Sequence, residues 1–323
     1  MTKFLPPLYL LLLAAATLAQ TPAVPPTTPE LSQQPVTTLK VSTRVVAISA
    51  VVKGKAGQPA GGLTKDDFVL KQDGKQEPIR YFSQGSDLPL TLALLVDTSG
   101  SQRTFIGDET AASDVFFETM LTEKNDRAML VQFDNRVLLL KPLTNSPDAL
   151  HLSLLSLSSR ASTIPGTLLN DAVYAIAKDH MAKETGRKAM VILTDGGDIG
   201  SRKSLADAIE QAQRGDVQIY SILYSMGNGP GGPASNSPTA RQDSGRELLN
   251  KLSDSTGGRV FTVSPNLGLR KIFAEISQDL RLQYELGYTP PADIQPNSYH
   301  KLELKTKDKK LTVQARKGFF AHP

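Results

Sequence analysis

The segment Leu92–Ser101 reads L-A-L-L-V-D-T-S-G-S. It sets one carboxylate, Asp97, and two hydroxyls, Ser99 and Ser101, at alternate positions. All three donors are oxygen, and such a set suits a hard divalent cation. The same residues also suit a turn with a helix N-cap, where Asp, Ser and Gly are common. The apolar run before them is short and bounded by Pro89 and Gly100, so it reads as a buried strand. The polar cluster then falls at that strand's carboxyl end, where open α/β sheets place ligand sites.

Two further segments favour the cation. Ala189–Thr194 is a second apolar strand, ending in Asp195-Gly196-Gly197-Asp198. Between the two strands lies Pro165-Gly166-Thr167-Leu168-Leu169-Asn170-Asp171-Ala172. In order, the three segments resemble the metal-ion-dependent adhesion site of von Willebrand factor A (VWA) domains, with its D-x-S-x-S, G-G-T-x-L and T-D-G motifs. Pro165 stands where the family has its first loop glycine, which puts that loop's backbone in doubt. The resemblance implies that Ser99 and Ser101 hold the cation directly, and Thr167 directly or through water. It implies that Asp97 and Asp195 act mainly through bound waters. Mg²⁺ is the expected ion, with Mn²⁺ and Ca²⁺ as alternatives. An open coordination position is then expected to take an Asp or Glu of a partner protein.

These loops need a scaffold. Strands are predicted at Leu92–Val96, Ala128–Phe133, Val137–Leu140, Met190–Thr194, Val217–Leu223 and Val260–Val263. Helices are predicted near Asp108–Leu121, Pro147–Leu155, Leu168–Lys183, Ser204–Arg214, Arg246–Ser255 and Leu267–Leu282. This alternation implies an α/β fold with a doubly wound, mostly parallel sheet, as in VWA domains. The close spacing after Asn135-Arg136 makes Val137–Leu140 an antiparallel edge strand. Met226–Gln242, with four glycines and three prolines, reads as a loop.

Both flanks read as β. Toward the N-terminus, Val41, Val45, Ala47, Ser49 and Val51 alternate along one predicted strand face. Thr64 is expected to cap a short helical turn, and Phe68–Gln72 and Glu77–Ser83 to form a hairpin around Asp73-Gly74. Toward the C-terminus, strands are predicted at Tyr284–Tyr288, Tyr299–Lys305 and Leu311–Arg316. The G-L-T-K-D-D-F wording and the R-K-G-F-F end resemble VWFA-related proteins common in acidobacterial genomes. Neither flank has enough strands to bury a sheet alone. They are therefore expected to pair into one β-sandwich with the α/β unit inserted. The expected organisation is a signal peptide over 1–19, a Pro-rich linker over 20–38 and a β module over 39–88. A VWA domain over 89–285 and a C-terminal β segment over 286–323 follow.

Met1–Ala19, with one lysine before a short apolar stretch, reads as a secretory signal. An uncleaved N-terminal anchor is the alternative. The 323-residue chain has no cysteine, so its core must stabilise it without disulfides. The net charge of +4 is mild. The lysines of Lys301–Lys317 alternate with apolar residues, as on a solvated strand face, so nucleic-acid binding is not expected. No enzyme is expected either. The four histidines accompany no G-x-S-x-G elbow, no P-loop and no paired D-T-G. The resulting reading is a secreted or cell-envelope, metal-dependent protein-binding module of adhesion type, with no small-molecule substrate. The alternative is a structural envelope-assembly protein whose metal mainly stabilises its loops.

Overall fold

A computed structural model describes residues 45–85, 88–100, 106–157, 164–224 and 240–321. The signal segment, the linker, Val41, Ser101 and residues 225–239 lie outside the described residues. The N-terminal strands are β1 (Val46–Lys53), β2 (Phe68–Gln72), β3 (Lys75–Glu77) and β4 (Tyr81–Gln84). The α/β unit follows with β5 (Leu90–Asp97), α1 (Ile106–Met120), β6 (Arg127–Phe133), β7 (Val137–Thr144) and α2 (Pro147–Leu154). It continues through α3 (Leu169–Ala175), β8 (Arg187–Thr194), α4 (Leu205–Arg214) and β9 (Val217–Leu223). It ends with α5 (Ala240–Thr256), β10 (Val260–Thr262) and α6 (Leu269–Arg281). The last strands are β11 (Tyr284–Tyr288), β12 (Tyr299–Thr306), β13 (Thr312–Ala315) and β14 (Gly318–Phe320). Among the described residues, no helix is long and apolar enough to cross a membrane.

The six-stranded sheet runs β10-β9-β8-β5-β6-β7, parallel except for β7, which pairs antiparallel with β6 as expected. Every residue of β5 is buried, because helices cover both faces. Leu92, Leu94 and Val96 pack into one layer with Phe116, Phe117 and Phe273. Ala93 and Leu95 pack into the other with Leu169, Val173 and Leu249. Each large side chain buried there contributes about 1.5–3 kcal/mol. Truncating Leu94 to Ala would cost about 2–5 kcal/mol through lost transfer energy and the cavity left behind. Local signals set the helix ends. Ser204 accepts from the Asp207 N–H at 3.1 Å, the Asp207 carboxylate accepts from the Ser204 N–H at 2.9 Å, and α4 stops at Gly215.

The chain ends build two four-stranded antiparallel sheets, β13-β1-β11-β4 and β14-β12-β2-β3. β1 pairs with β11 from Val46↔Tyr288 and with β13 from Ala50↔Ala315, while β12 pairs with β2 from Leu302↔Gln72. Val46, Ile48, Phe68, Leu70, Tyr284, Leu286, Tyr288 and Leu302 share one core.

Four expectations are corrected. The core face of β1 is Val46, Ile48, Ala50 and Val52, not the Val45–Ala47–Ser49–Val51 set, although Val51 is also buried. Apolar residues occupy both faces of this strand, so alternation alone does not choose between them. The predicted Glu77–Ser83 strand is two strands in different sheets. Pro78, which has no N–H to give a ladder, ends β3 at Glu77. The predicted Leu168–Lys183 helix is α only to Ala175, then a π turn over Ile176–His180 and a 3₁₀ turn over Met181–Lys183. Finally, α5 begins at Ala240, inside the stretch read as a loop.

Candidate metal centre

Asp97 is the last residue of β5 and is fully buried. Its Oδ1 accepts the Ser99 N–H at 2.9 Å, and its Oδ2 accepts the Thr194 hydroxyl at 2.6 Å. Thr194 ends the neighbouring strand β8, and its Oγ1 also accepts the Gly196 N–H at 3.1 Å. Burial pushes the Asp97 carboxyl up to about 6. The Thr194 and Ser99 hydrogen bonds oppose that rise, and the charge of Asp195 adds to it.

The next loop is fastened through Asp134, just beyond β6. Its Oδ2 accepts the Thr98 hydroxyl at 3.1 Å, and its backbone carbonyl accepts the Leu168 N–H at 2.8 Å. The D-T-S-G loop and the Thr167 loop are thereby joined through one residue. A Cβ on Gly166, at φ +153°, would lie 2.9 Å from the Asn135 Cα, so this glycine is required where the two loops cross. The Pro165 substitution leaves that requirement untouched.

Thr167 exchanges both backbone hydrogen bonds with Ile199, at 2.9 and 2.8 Å. This ties its loop to the one after β8. There Asp195 is half-buried and accepts the Gly197 N–H at 3.1 Å through Oδ1. Gly196 adopts φ +88°, and a Cβ on it would lie 2.8 Å from the backbone carbon of Gly245 in α5. Asp198 accepts the Asn170 N–H at 3.0 Å and the Ser201 hydroxyl at 2.6 Å. Asp171 accepts the Lys203 N–H at 2.8 Å. Hydrogen bonds thus join the loops carrying Asp97, Ser99, Thr167 and Asp195 beyond the carboxyl ends of the sheet. Ser101 lies outside the described residues.

Sequence reasoning missed Asp134 and Gly245, and it quoted Thr194 and Asp198 within the third motif without giving them a role. Thr194 and Asp134 carried a usable signal, because each polar residue ends an apolar strand as Asp97 does.

The donor chemistry fits a hard cation. The gathered groups are two carboxylates with hydroxyls, all oxygen donors; among the described residues no three His, Cys, Asp or Glu side chains cluster to hold a metal ion. Asp97 is a buried carboxylate whose hydrogen-bond donors among the described residues, on Ser99 and Thr194, are neutral. A buried charge of that kind is costly unless a cation lies close by. Two side-chain acceptors in the same loops, Asn135 Oδ1 and Asn170 Oδ1, are buried without a hydrogen-bond partner.

A Ser–His–Asp arrangement occurs elsewhere, in the sandwich. Ser298 Oγ lies 2.6 Å from His300 Nε2, and His300 Nδ1 lies 2.7 Å from Asp73 Oδ2. The Ser298 hydroxyl also lies within hydrogen-bond reach of the Gln295 carbonyl of its own turn. His300 also packs beside Phe319, with ring centroids 5.5 Å apart. This cluster ties the turn before β12 to the Asp73 turn between β2 and β3.

The family profile of the von Willebrand factor type A domain matches residues 91–275. The comparison with curated proteins finds no match. Among solved structures, the chain is similar to the conserved hypothetical protein BatB from Bacteroides thetaiotaomicron. That match has 16% identity and a TM-score of 0.47, covering 59% of this chain and 98% of that one. It is also similar to the vWF domain of the type V pili tip protein Mfa5 from Porphyromonas gingivalis, at 13% identity and a TM-score of 0.43, covering 59% and 94%. A third is the PilB minor pilin from Streptococcus sanguinis, at 14% identity and a TM-score of 0.44, covering 64% and 63%. With more than half of its length matched to the profile and the site loops at the carboxyl ends of a doubly wound sheet, the chain belongs to the von Willebrand factor type A domain family.

Proposed function

We propose that this chain is an exported, metal-dependent protein-binding module of adhesion type. Ser99, Ser101 and Thr167 would supply hydroxyl oxygens to one Mg²⁺, and Asp97 and Asp195 would hold its water ligands. Mostly neutral direct ligands leave such an ion able to accept a carboxylate, and a partner Asp or Glu completes its shell. The observation that carries this reading is Asp97, a fully buried carboxylate whose hydrogen-bond donors among the described residues are neutral, on a surface of cross-linked loops. The apolar stretch near the N-terminus supports export, and the expected location is the cell envelope or beyond it.

Asp97 and Thr194 keep the β5 and β8 ends in register, and Asp134 and the Thr167–Ile199 pair hold the remaining loops against them. The direct test is partner capture by the immobilised chain in Mg²⁺ and in EDTA, repeated with Ser99→Ala. Capture lost in EDTA and in Ser99→Ala, with the fold intact by circular dichroism, is the expected result. Capture indifferent to both would favour the structural alternative, in which the cation only stiffens the loops.

A further inference from the structure

One side of β12 is only half covered. β14 lies beside Tyr299, His300 and Lys301, and among the described residues no strand pairs with residues 302–306 on that side. The Leu302 N–H donates to the Lys317 carbonyl at 2.8 Å on the β14 side, whereas the Lys301 carbonyl accepts the Asp73 N–H at 2.9 Å on the β2 side. Alternation along the strand therefore aims the Leu304 N–H and C=O away from β2, into the open flank. In the other sheet, β13 is an edge strand. A cleft of about 400 Å³ opens between these two strand edges, lined by residues 302–306 and by residues from Lys309 to Lys317.

The cleft has an apolar floor and a cationic rim. Leu304, Leu311 and Val313 line it and pack against the sandwich core, yet each stays only half-buried. Lys305, Lys309 and Lys317 also line it, and all three are exposed. Lys305 reaches Glu303 at 3.2 Å, and among the described residues Lys309 and Lys317 have no carboxylate partner. Residues 301–317 hold seven basic and two acidic side chains, while the whole chain has a net charge of +4, so the remainder of the chain is close to neutral.

These features narrow the occupant. The unpaired N–H and C=O groups of a strand edge are a template for another strand. A lipid tail would cover the apolar floor but would leave the Leu304 N–H and C=O without partners. A second copy of this chain presenting the same edge would set lysine against lysine. The chain's own residues 20–44 hold one acidic residue, Glu30, against Lys40 and Arg44, so they do not complement the rim.

We propose that the open flank of β12 is a docking site for an extended acidic segment of a partner protein, added as a strand beside Leu304. At about 3.3 Å per residue, a segment of about five residues spans this half of β12. Its side chains alternate, apolar ones meeting the Leu304, Leu311 and Val313 floor and acidic ones meeting the lysines. The site does not involve the metal centre.

The test uses the full chain in EDTA, so that an acidic probe cannot act through the metal centre. The probe is a fluorescein-labelled decapeptide of alternating valine and glutamate, read by fluorescence anisotropy. The comparators are the same peptide with lysine in place of glutamate, and phosphatidylglycerol vesicles. Lys309→Glu and Lys317→Glu are combined in one variant, since both side chains are exposed. Hydrogen exchange of the Leu304 amide in the wild type gives a second readout that needs no variant. The expected result is saturable binding of the glutamate peptide, weakened about tenfold or more in the double variant with its fold intact by circular dichroism. Exchange of the Leu304 amide should slow as the peptide binds. Equal or tighter binding of the lysine peptide, wild-type affinity in the double variant, binding confined to the vesicles, no saturable binding, or unchanged Leu304 exchange at saturation would overturn the proposal.

Discussion

Replacing Asp97 by Asn should make the metal-free protein more stable at neutral pH while removing its response to Mg²⁺. In the folded chain, burial lifts this carboxyl from 3.8 to about 6. Because the folded value is the raised one, ionisation disfavours folding. The penalty is absent below 3.8, grows as pH rises toward 6 and is complete above it. That change corresponds to about 3 kcal/mol at about pH 8, and about half of it remains at about pH 5. Asparagine carries no charge and keeps one oxygen for the Ser99 N–H. Its amide nitrogen faces Thr194 Oγ1, which must then accept instead of donate, at a cost of about 1 kcal/mol. The net expectation in EDTA is a gain of about 2 kcal/mol at about pH 8, shrinking to well under 1 kcal/mol at about pH 5. Urea unfolding followed by circular dichroism at the two pH values measures it. Adding Mg²⁺ should stabilise the wild type and leave Asp97→Asn unchanged. A variant less stable than the wild type at pH 8 in EDTA would refute the account of Asp97 as a buried, uncompensated charge.

Gly196→Ala should lower stability by about 2 kcal/mol or more, because it combines a left-handed backbone with a Cβ pressed onto Gly245; an unchanged melting temperature would show that α5 yields freely there. Burial also raises the Glu285 carboxyl, against opposing hydrogen bonds from Ser49 and Gln283 and the charge of Arg187. Glu285→Gln should therefore gain on the wild type as pH rises through that raised value and lose the advantage in acid, as denaturant midpoints at the two extremes can check. Deleting residues 289–323 strips β13 from β1 and β12 from β2. Hydrogen-exchange protection of Val46–Lys53 should then collapse while β5 and β8 stay protected, and retained protection would mean that β1 and β2 stand without the C-terminal strands.

The legible parts of this protein were those in which one short segment carries its own chemistry. Leu92–Val96 is apolar at every position and ends in Asp97, so strand, direction and candidate donor are read from six neighbouring letters. The same holds for Met190–Asp195. What could not be read depends on lateral neighbours. Thr194 looks like the last residue of a strand until β8 lies beside β5 and its hydroxyl reaches Asp97. Gly245 is one small residue in a polar helix until Gly196 crosses it. In β1 both faces carry apolar residues, and only the pairing with β11 and β13 shows which face meets the sandwich core. Gln213 in α4, Gln218 in β9 and Gln283 in the link between α6 and β11 are unremarkable letters, and only the junction of the α/β unit with the sandwich brings them to one cleft.

The α/β unit leaves the sandwich after β4 and rejoins it at β11, and these two strands are hydrogen-bonded neighbours, with Tyr284 opposite Gln84. Arg187 ties the segment before β5 to the last turn of α6, donating to the Leu88 and Leu280 carbonyls. Tension applied at the carboxyl ends of the sheet and resisted by the sandwich arrives through two adjacent tethers that pull β4 and β11 the same way. The hydrogen bonds between these two strands are then not pulled apart, and the load passes across to the β1–β11 ladder.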